Sequence, residues 1–200
     1  MNEQLATFLI FVAAATASPG GATTLATASG MRYGLRKSVP YIAGMAVGLG
    51  AMAVVSVLGL TALLTAAPAL DLIVRAAGTA YLLHLAWRVA TGGPPSGDGE
   101  APRPIGLIGA AVLAWCNPKA WAVTMGASSS FAHLAYDPAH QALLMGTTFL
   151  AFAAASMTLW CTTGQALGRL LRTESQWQVL NIVMGLLLAA SVVPLWAGDG

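Results

Sequence analysis

Six predominantly apolar stretches run along this 200-residue chain, at about 5–31, 39–64, 69–91, 105–130, 141–168 and 177–197. Each meets the roughly 20 residues that a helix needs to cross about 30 Å of hydrocarbon. Inside lipid every backbone polar group must find a partner within the protein, so such stretches are restricted to helices. Composition agrees: 57% of residues are hydrophobic and 8% charged, and mean hydropathy is +0.73. A soluble domain carries roughly a quarter charged residues. The expectation is an all-α membrane protein in contact with a lipid bilayer. A net charge of +2 is too small to point to nucleic acid. The Ala15-Thr16-Ala17 triplet resembles a cleavage site, but no Lys or Arg precedes the apolar run. It therefore reads as part of a retained span.

Basic residues give the direction of the spans. Arg32, Arg36 and Lys37 follow the first, Arg88 and Arg103 bracket the segment after the third, and Arg169 and Arg172 follow the fifth. The segments near 65–68 and 131–140 contain none, nor does the C-terminal tail. By the positive-inside rule both termini are predicted outside. The Gly- and Pro-rich residues 92–104 then form a cytoplasmic linker between a first repeat, 1–91, and a second, 105–200, of one transmembrane domain.

Two of the six spans are interrupted by a polar residue followed by proline. Ser18-Pro19-Gly20-Gly21 interrupts the first and Asn117-Pro118 the fourth, with the two prolines 99 residues apart and the linker midway. Three spans per half is an odd number, so the second half must enter from the opposite face. Ser18 lies roughly 20 Å along the first span and Asn117 roughly 18 Å along the fourth, so both breaks are predicted near the midplane. Interrupted segments in matching positions of inverted halves mark a transporter's binding site. Ser18 and Asn117 read as N-caps, each with proline at the first helical position. Two helix N-termini, with amides unpaired and Lys119 alongside, would suit an anionic group such as a carboxylate. The plainer alternative is that the prolines only kink the spans.

Other residues carry less. Arg75 stands four residues after Asp71. It reads either as a local ion pair or as a substrate contact. His84 is either a satisfied core histidine or, with Asp71, part of a proton relay. Lys119 has little chance to reach water from the midplane, which favours function. No Asp or Glu lies deep in a span. The GxxxG pairs Gly44/Gly48 and Gly164/Gly168 allow close helix contact, within the chain or across a homodimer. Cys116 and Cys161 read as reduced apolar residues. Neither a GxxxxGK[ST] loop, HExxH nor GxSxG is present, so the chain does not read as an enzyme. Nothing calls for a metal or cofactor.

Three stretches together, "SPGGATTLATASGMRYGLRKSVPYIAGMAVG", "IVRAAGTAYLLHLAWR" and "LAWCNPKAWAV", resemble the LysE/RhtB-type family of bacterial amino-acid exporters. The resemblance implies an inner-membrane exporter of amino acids or related metabolites, driven by the proton gradient. It places Ser18, Pro19 and Gly20 in the family's first motif, Asn117, Pro118 and Lys119 in its second, and Arg75 with Gly78 in its third-span motif. The family usually has Pro-Gly-Pro followed by Asn or Asp, where this chain has Pro19-Gly20-Gly21-Ala22. The rival reading is a non-transporting membrane subunit or assembly factor.

Overall fold

The structure, a computed structural model, describes residues 2–60, 76, 79, 80, 83, 84, 86–91, 104–132, 134, 135, 137–171 and 173–190. Asp71, Arg75 and Gly78 lie outside the described residues. Six α-helices are named here: α1 (Asn2–Ala17), α2 (Gly21–Val55), α3 (Leu107–Trp115), α4 (Pro118–Ser130), α5 (Pro138–Leu170) and α6 (Glu174–Ala190). Residues 86–90 are also helical, and among the described residues there is no strand. A π-helical turn, Ser56–Leu60, extends α2.

α2 is two antiparallel arms joined at Gly34. The Tyr41 hydroxyl donates to the Ala22 carbonyl at 2.8 Å, and the Ser29 and Ser38 hydroxyls meet at 2.7 Å. In a straight helix 19 residues would separate Tyr41 from Ala22 by about 28 Å. Gly34 makes the turn with φ 75 and ψ 168, a region open essentially to glycine alone. The turn frees the Leu35 amide, which donates to Gln165 Oε1 of α5 at 2.7 Å. The first predicted span is therefore α1 plus the Gly21–Tyr33 arm, and the second is the returning arm.

Helix starts follow from local chemistry. Asp137 caps α5 by accepting from the Ala139 and His140 amides, with Pro138 in the first turn. Asn117 caps α4 in the same way, with Pro118 leading. Two helical stretches are long and apolar enough to cross a membrane by themselves, Gly21–Gly59 (39 residues) and Pro138–Leu170 (33 residues). The first of them carries the Gly34 turn.

Both GxxxG pairs are consumed inside the chain. A Cβ added to Gly44 would stand 2.1 Å from the Leu107 carbonyl oxygen, and one on Gly48 2.8 Å from the Ala114 Cβ. One on Gly164 would stand 2.1 Å from the Thr27 carbonyl oxygen, and one on Gly30 1.9 Å from that of Cys161. These are backbone-to-backbone approaches that leave no room for any side chain. α5 thus packs against both arms of α2, and α3 against the returning arm.

The interior divides into two apolar clusters. One gathers Leu25, Tyr41, Met45, Leu113 and Met157, and the other Phe8, Val12, Ala53, Met145 and Phe149. Along α1–α2, α3–α4 and α5 the chain leaves one cluster and enters the other through a polar level at residues 16–20, 117–119 and 156. Outward, apolar side chains are bare: Ile10 is 70% exposed, Ile108 77% and Leu186 64%. A lipid-facing exterior needs that distribution.

Candidate functional site at two helix breaks

The first break ends α1 without leaving a carbonyl unmet. The Ser18 amide donates to the Ala14 carbonyl at 3.0 Å, and the Ser18 hydroxyl to that of Ala15 at 2.9 Å. α5 supplies the next two donors: Ser156 Oγ reaches the Thr16 carbonyl at 2.7 Å, and Trp160 Nε1 that of Ala17 at 3.2 Å. Lys119 supplies the last. Its Nζ donates to the Ser18 carbonyl at 2.9 Å and the Pro19 carbonyl at 3.4 Å. It also donates to Ser18 Oγ at 2.7 Å. In a medium without water each unmet carbonyl would be expensive, so this set of donors is what makes the break tolerable.

Ser18 is not the cap of the following helix, contrary to expectation. It finishes α1, and the new helix begins two residues later with Gly20 as its N-cap. The Gly20 amide donates to Thr23 Oγ1 at 2.8 Å, and that hydroxyl returns to the Gly20 carbonyl at 2.9 Å. The Ser18 amide and hydroxyl both donate back into α1, to the Ala14 and Ala15 carbonyls, and its hydroxyl oxygen meets Lys119.

The second break matches expectation at its cap. Asn117 Oδ1 accepts from the Lys119 amide at 3.1 Å, and the Asn117 carbonyl accepts from the Ala120 amide at 3.0 Å. Trp121 Nε1 donates to the Trp115 carbonyl at the end of α3, and the two indoles meet edge to face at 6.0 Å. The expected open amides are missing here. Pro118 has none, and those of Lys119 and Ala120 are engaged. On the α2 side, no hydrogen bond leads from the Gly21, Ala22 or Thr23 amide to a described group. The two breaks therefore contribute differently: α2 offers amides, and α4 offers an ammonium.

A cavity of about 60 Å³ lies between them. Ser18, Gly20, Gly21, Asn117 and Lys119 line it, with Met45 and Met157 from the apolar wall. Gly21 stands where the family's motif has proline, so this chain has an N–H there that proline would lack. Ala22 lines the same cavity, so the missing Asn or Asp of the motif would have stood in its wall. His84 is exposed and is not among the lining residues. Ser156, Trp160, Trp121 and Thr23 escaped the reading of the sequence. The signal was available for the tryptophans, which stand in mid-span and not at a membrane boundary, where their N–H must find a partner.

The molecule is electrically lopsided. Arg32, Arg36 and Lys37 flank the Gly34 turn, Arg88 lines a cavity with Arg32, and Arg169 follows Gly168, which packs on Met31. Of the described Lys and Arg residues, all but Lys119 gather at this end. Glu3 shares a cavity with Ser130 and Phe131 at the other end.

An apolar-surfaced helical bundle, interrupted where polar groups from two distant breaks converge, has the build of a membrane translocator. The chain belongs to the LysE type translocator family, whose profile matches residues 13–195. It is 29% identical over 196 residues to the cysteine/O-acetylserine efflux protein of Escherichia coli (strain K12), covering 96% of this chain and 97% of that protein. The same figures hold for the proteins of that description in Shigella sonnei (strain Ss046) and Shigella flexneri. No solved structure matches the chain.

Proposed function

We propose that this chain is a secondary exporter of amino acids or related small carboxylated metabolites, with cysteine and O-acetylserine the first cargoes to test. It works in the cytoplasmic (inner) membrane, drawing on the proton gradient. The two halves are inverted three-helix repeats with both termini outside. The basic end of the molecule then faces the cytoplasm, in keeping with the positive-inside rule. The relatives' described cargoes support the chemistry, and the absence of a nucleotide loop supports secondary transport.

One observation carries the reading: the Lys119 ammonium spans the two breaks and, among the described residues, is held there by neutral oxygens alone. A carboxylate entering the cavity is a stronger acceptor, since charge-assisted hydrogen bonds are roughly twice as strong as neutral ones. The Gly21 and Ala22 amides lie in the same wall, at the positive end of a helix dipole. Cargo binding would draw the ammonium away from Ser18 and Pro19. That releases the link between the repeats, so occupation of the site and rocking of the halves become one event. Ser18, Pro19, Gly20, Gly21, Asn117, Pro118 and Lys119 form the site of this proposal. Arg75 is its third-span substrate contact, and Asp71 and His84 its proton route.

Efflux from cells preloaded with labelled cysteine or O-acetylserine tests it. Expression of the chain should speed efflux, an uncoupler should abolish the gain, and Lys119→Ala should abolish it in well-inserted protein. Normal efflux from that variant would remove the site from the mechanism.

A further inference from the structure

A second cavity, of about 140 Å³, opens at the basic end of the molecule. Ser29, Arg32 and Tyr33 line it from the first arm of α2, with Arg88 opposite and Trp177 and Asn181 from α6. Among the described residues no carboxylate lines it. The Arg32 guanidinium stands 5.9 Å from the Tyr33 ring centroid, and its Nε is buried with no hydrogen-bond partner among the described residues. A buried guanidinium donor without an acceptor is rare in folded proteins. Its side chain lines a cavity that also holds a second guanidinium. Paired arginines present planar forks that fit the two oxygens of a carboxylate or a phosphate. The apolar neighbours Leu25, Met31 and Ile105 leave room for a small organic body behind such a head.

The cavity adjoins the site at the breaks. Tyr41 lines the basic cavity, while its hydroxyl bonds to the carbonyl of Ala22, which lines the central one. Tyr41 is 1% exposed, so it forms a partition between the two.

We propose that this cavity is a receiving site for small carboxylates, with Arg32 as the principal anchor and Arg88 at its mouth, one step ahead of the site at the breaks. The oxyanion site stands on its own residues; its place ahead of the breaks rests on the exporter reading. A phosphate oxyanion of a lipid headgroup shares the chemistry, and the two sources separate by experiment.

The full chain is reconstituted in nanodiscs of phosphatidylcholine, with and without phosphatidylglycerol, and titrated with acetate and with O-acetylserine. Saturation-transfer NMR reads weak binding of the first and calorimetry the second. Arg32→Gln should weaken both at least tenfold and Arg88→Gln severalfold, while Arg36→Gln, which does not line the cavity, leaves both unchanged. Arg32→Lys keeps the charge without the fork and should fall between wild type and Arg32→Gln, which covers the case of a poorly folded glutamine variant. Equal affinity in wild type and Arg32→Gln overturns the proposal. So does a result in which Arg32→Gln binds both probes normally but loses thermal stabilisation by phosphatidylglycerol, because the occupant is then a lipid headgroup. Acetate binding that depends on Arg32, in a protein that gives cells no amino-acid efflux, upholds the oxyanion site and overturns the exporter reading.

Discussion

Lys119 reaches back 101 positions along the chain to Ser18, placing its Nζ 2.7 Å from the hydroxyl and 2.9 Å from the carbonyl oxygen of that residue. The contact joins two helix breaks from opposite halves. It gives one side chain a structural duty, closing the end of α1.

Replacing Lys119 should therefore act on both stability and transport. Lys119→Met keeps the apolar stem and leaves the part-buried Ser18 carbonyl without a donor, which costs about 1–3 kcal/mol. Thermal unfolding in nanodiscs should fall accordingly, and efflux should be lost. A variant with unchanged melting and unchanged efflux would show that the contact does neither job.

Ser156 and Trp160 are predicted to matter although they lie outside the family's motifs as read here. Ser156→Ala and Trp160→Phe each free one carbonyl at the end of α1. Each should destabilise by about 1–3 kcal/mol. Both α1 carbonyls belong to one helix end, so the double variant should depart from additivity. A double-mutant cycle on melting temperature checks this, and strict additivity would mean the two carbonyls are independent.

Gly34 and Gly30 separate conformational from steric demands. Gly34→Ala forces a side chain into φ 75, ψ 168, at about 1–3 kcal/mol. Gly30→Ala drives a methyl into the Cys161 carbonyl, and α2 must part from α5, at about 1–3 kcal/mol or more. A Cβ on Gly20 would meet only the Lys119 side chain, at 3.4 Å, so Gly20→Ala should melt near wild type. Comparable melting of all three variants would contradict the packing described.

Asp137 gives the molecule a local acid sensitivity at the start of α5. The His140 amide, together with the His140 ring and the Ala139 amide, holds its carboxyl below the usual aspartate range. The folded form then takes up a proton less readily than the unfolded form. Cap stability is fully present above the ordinary aspartate value of about 3.9 and is lost as pH falls from there through the folded value. Amide exchange in the first turn of α5, corrected for intrinsic rates, should speed up between pH 5 and pH 3, a window about one unit either side of that value. In Asp137→Asn the acceleration should be absent.

Much of the local geometry at the two breaks was legible in order along the chain. Asn117 as a cap, Pro118 behind it, Lys119 beside it and a matched break near Pro19 all follow from short-range rules, because caps and proline act within one turn of helix. The Ser18 assignment failed because that residue finishes α1 and meets a side chain from another half, a partner no local rule contains. The partners of Trp160 and Ser156 likewise lie far along the chain, although the mid-span position of Trp160 signalled that its N–H needed one.

The sequence by itself determined that the chain is helical and lives in lipid, where it is interrupted and where its positive charge accumulates, since these depend on composition and on neighbours a few residues away. Only the tertiary structure decided which groups meet. It made Gly34 a reversal, turned the glycine pairs into seams between helices of one chain, and set an ammonium against the carbonyls of a distant break. Which helix faces which is fixed by close packing over the whole bundle, and that is a property no single segment carries.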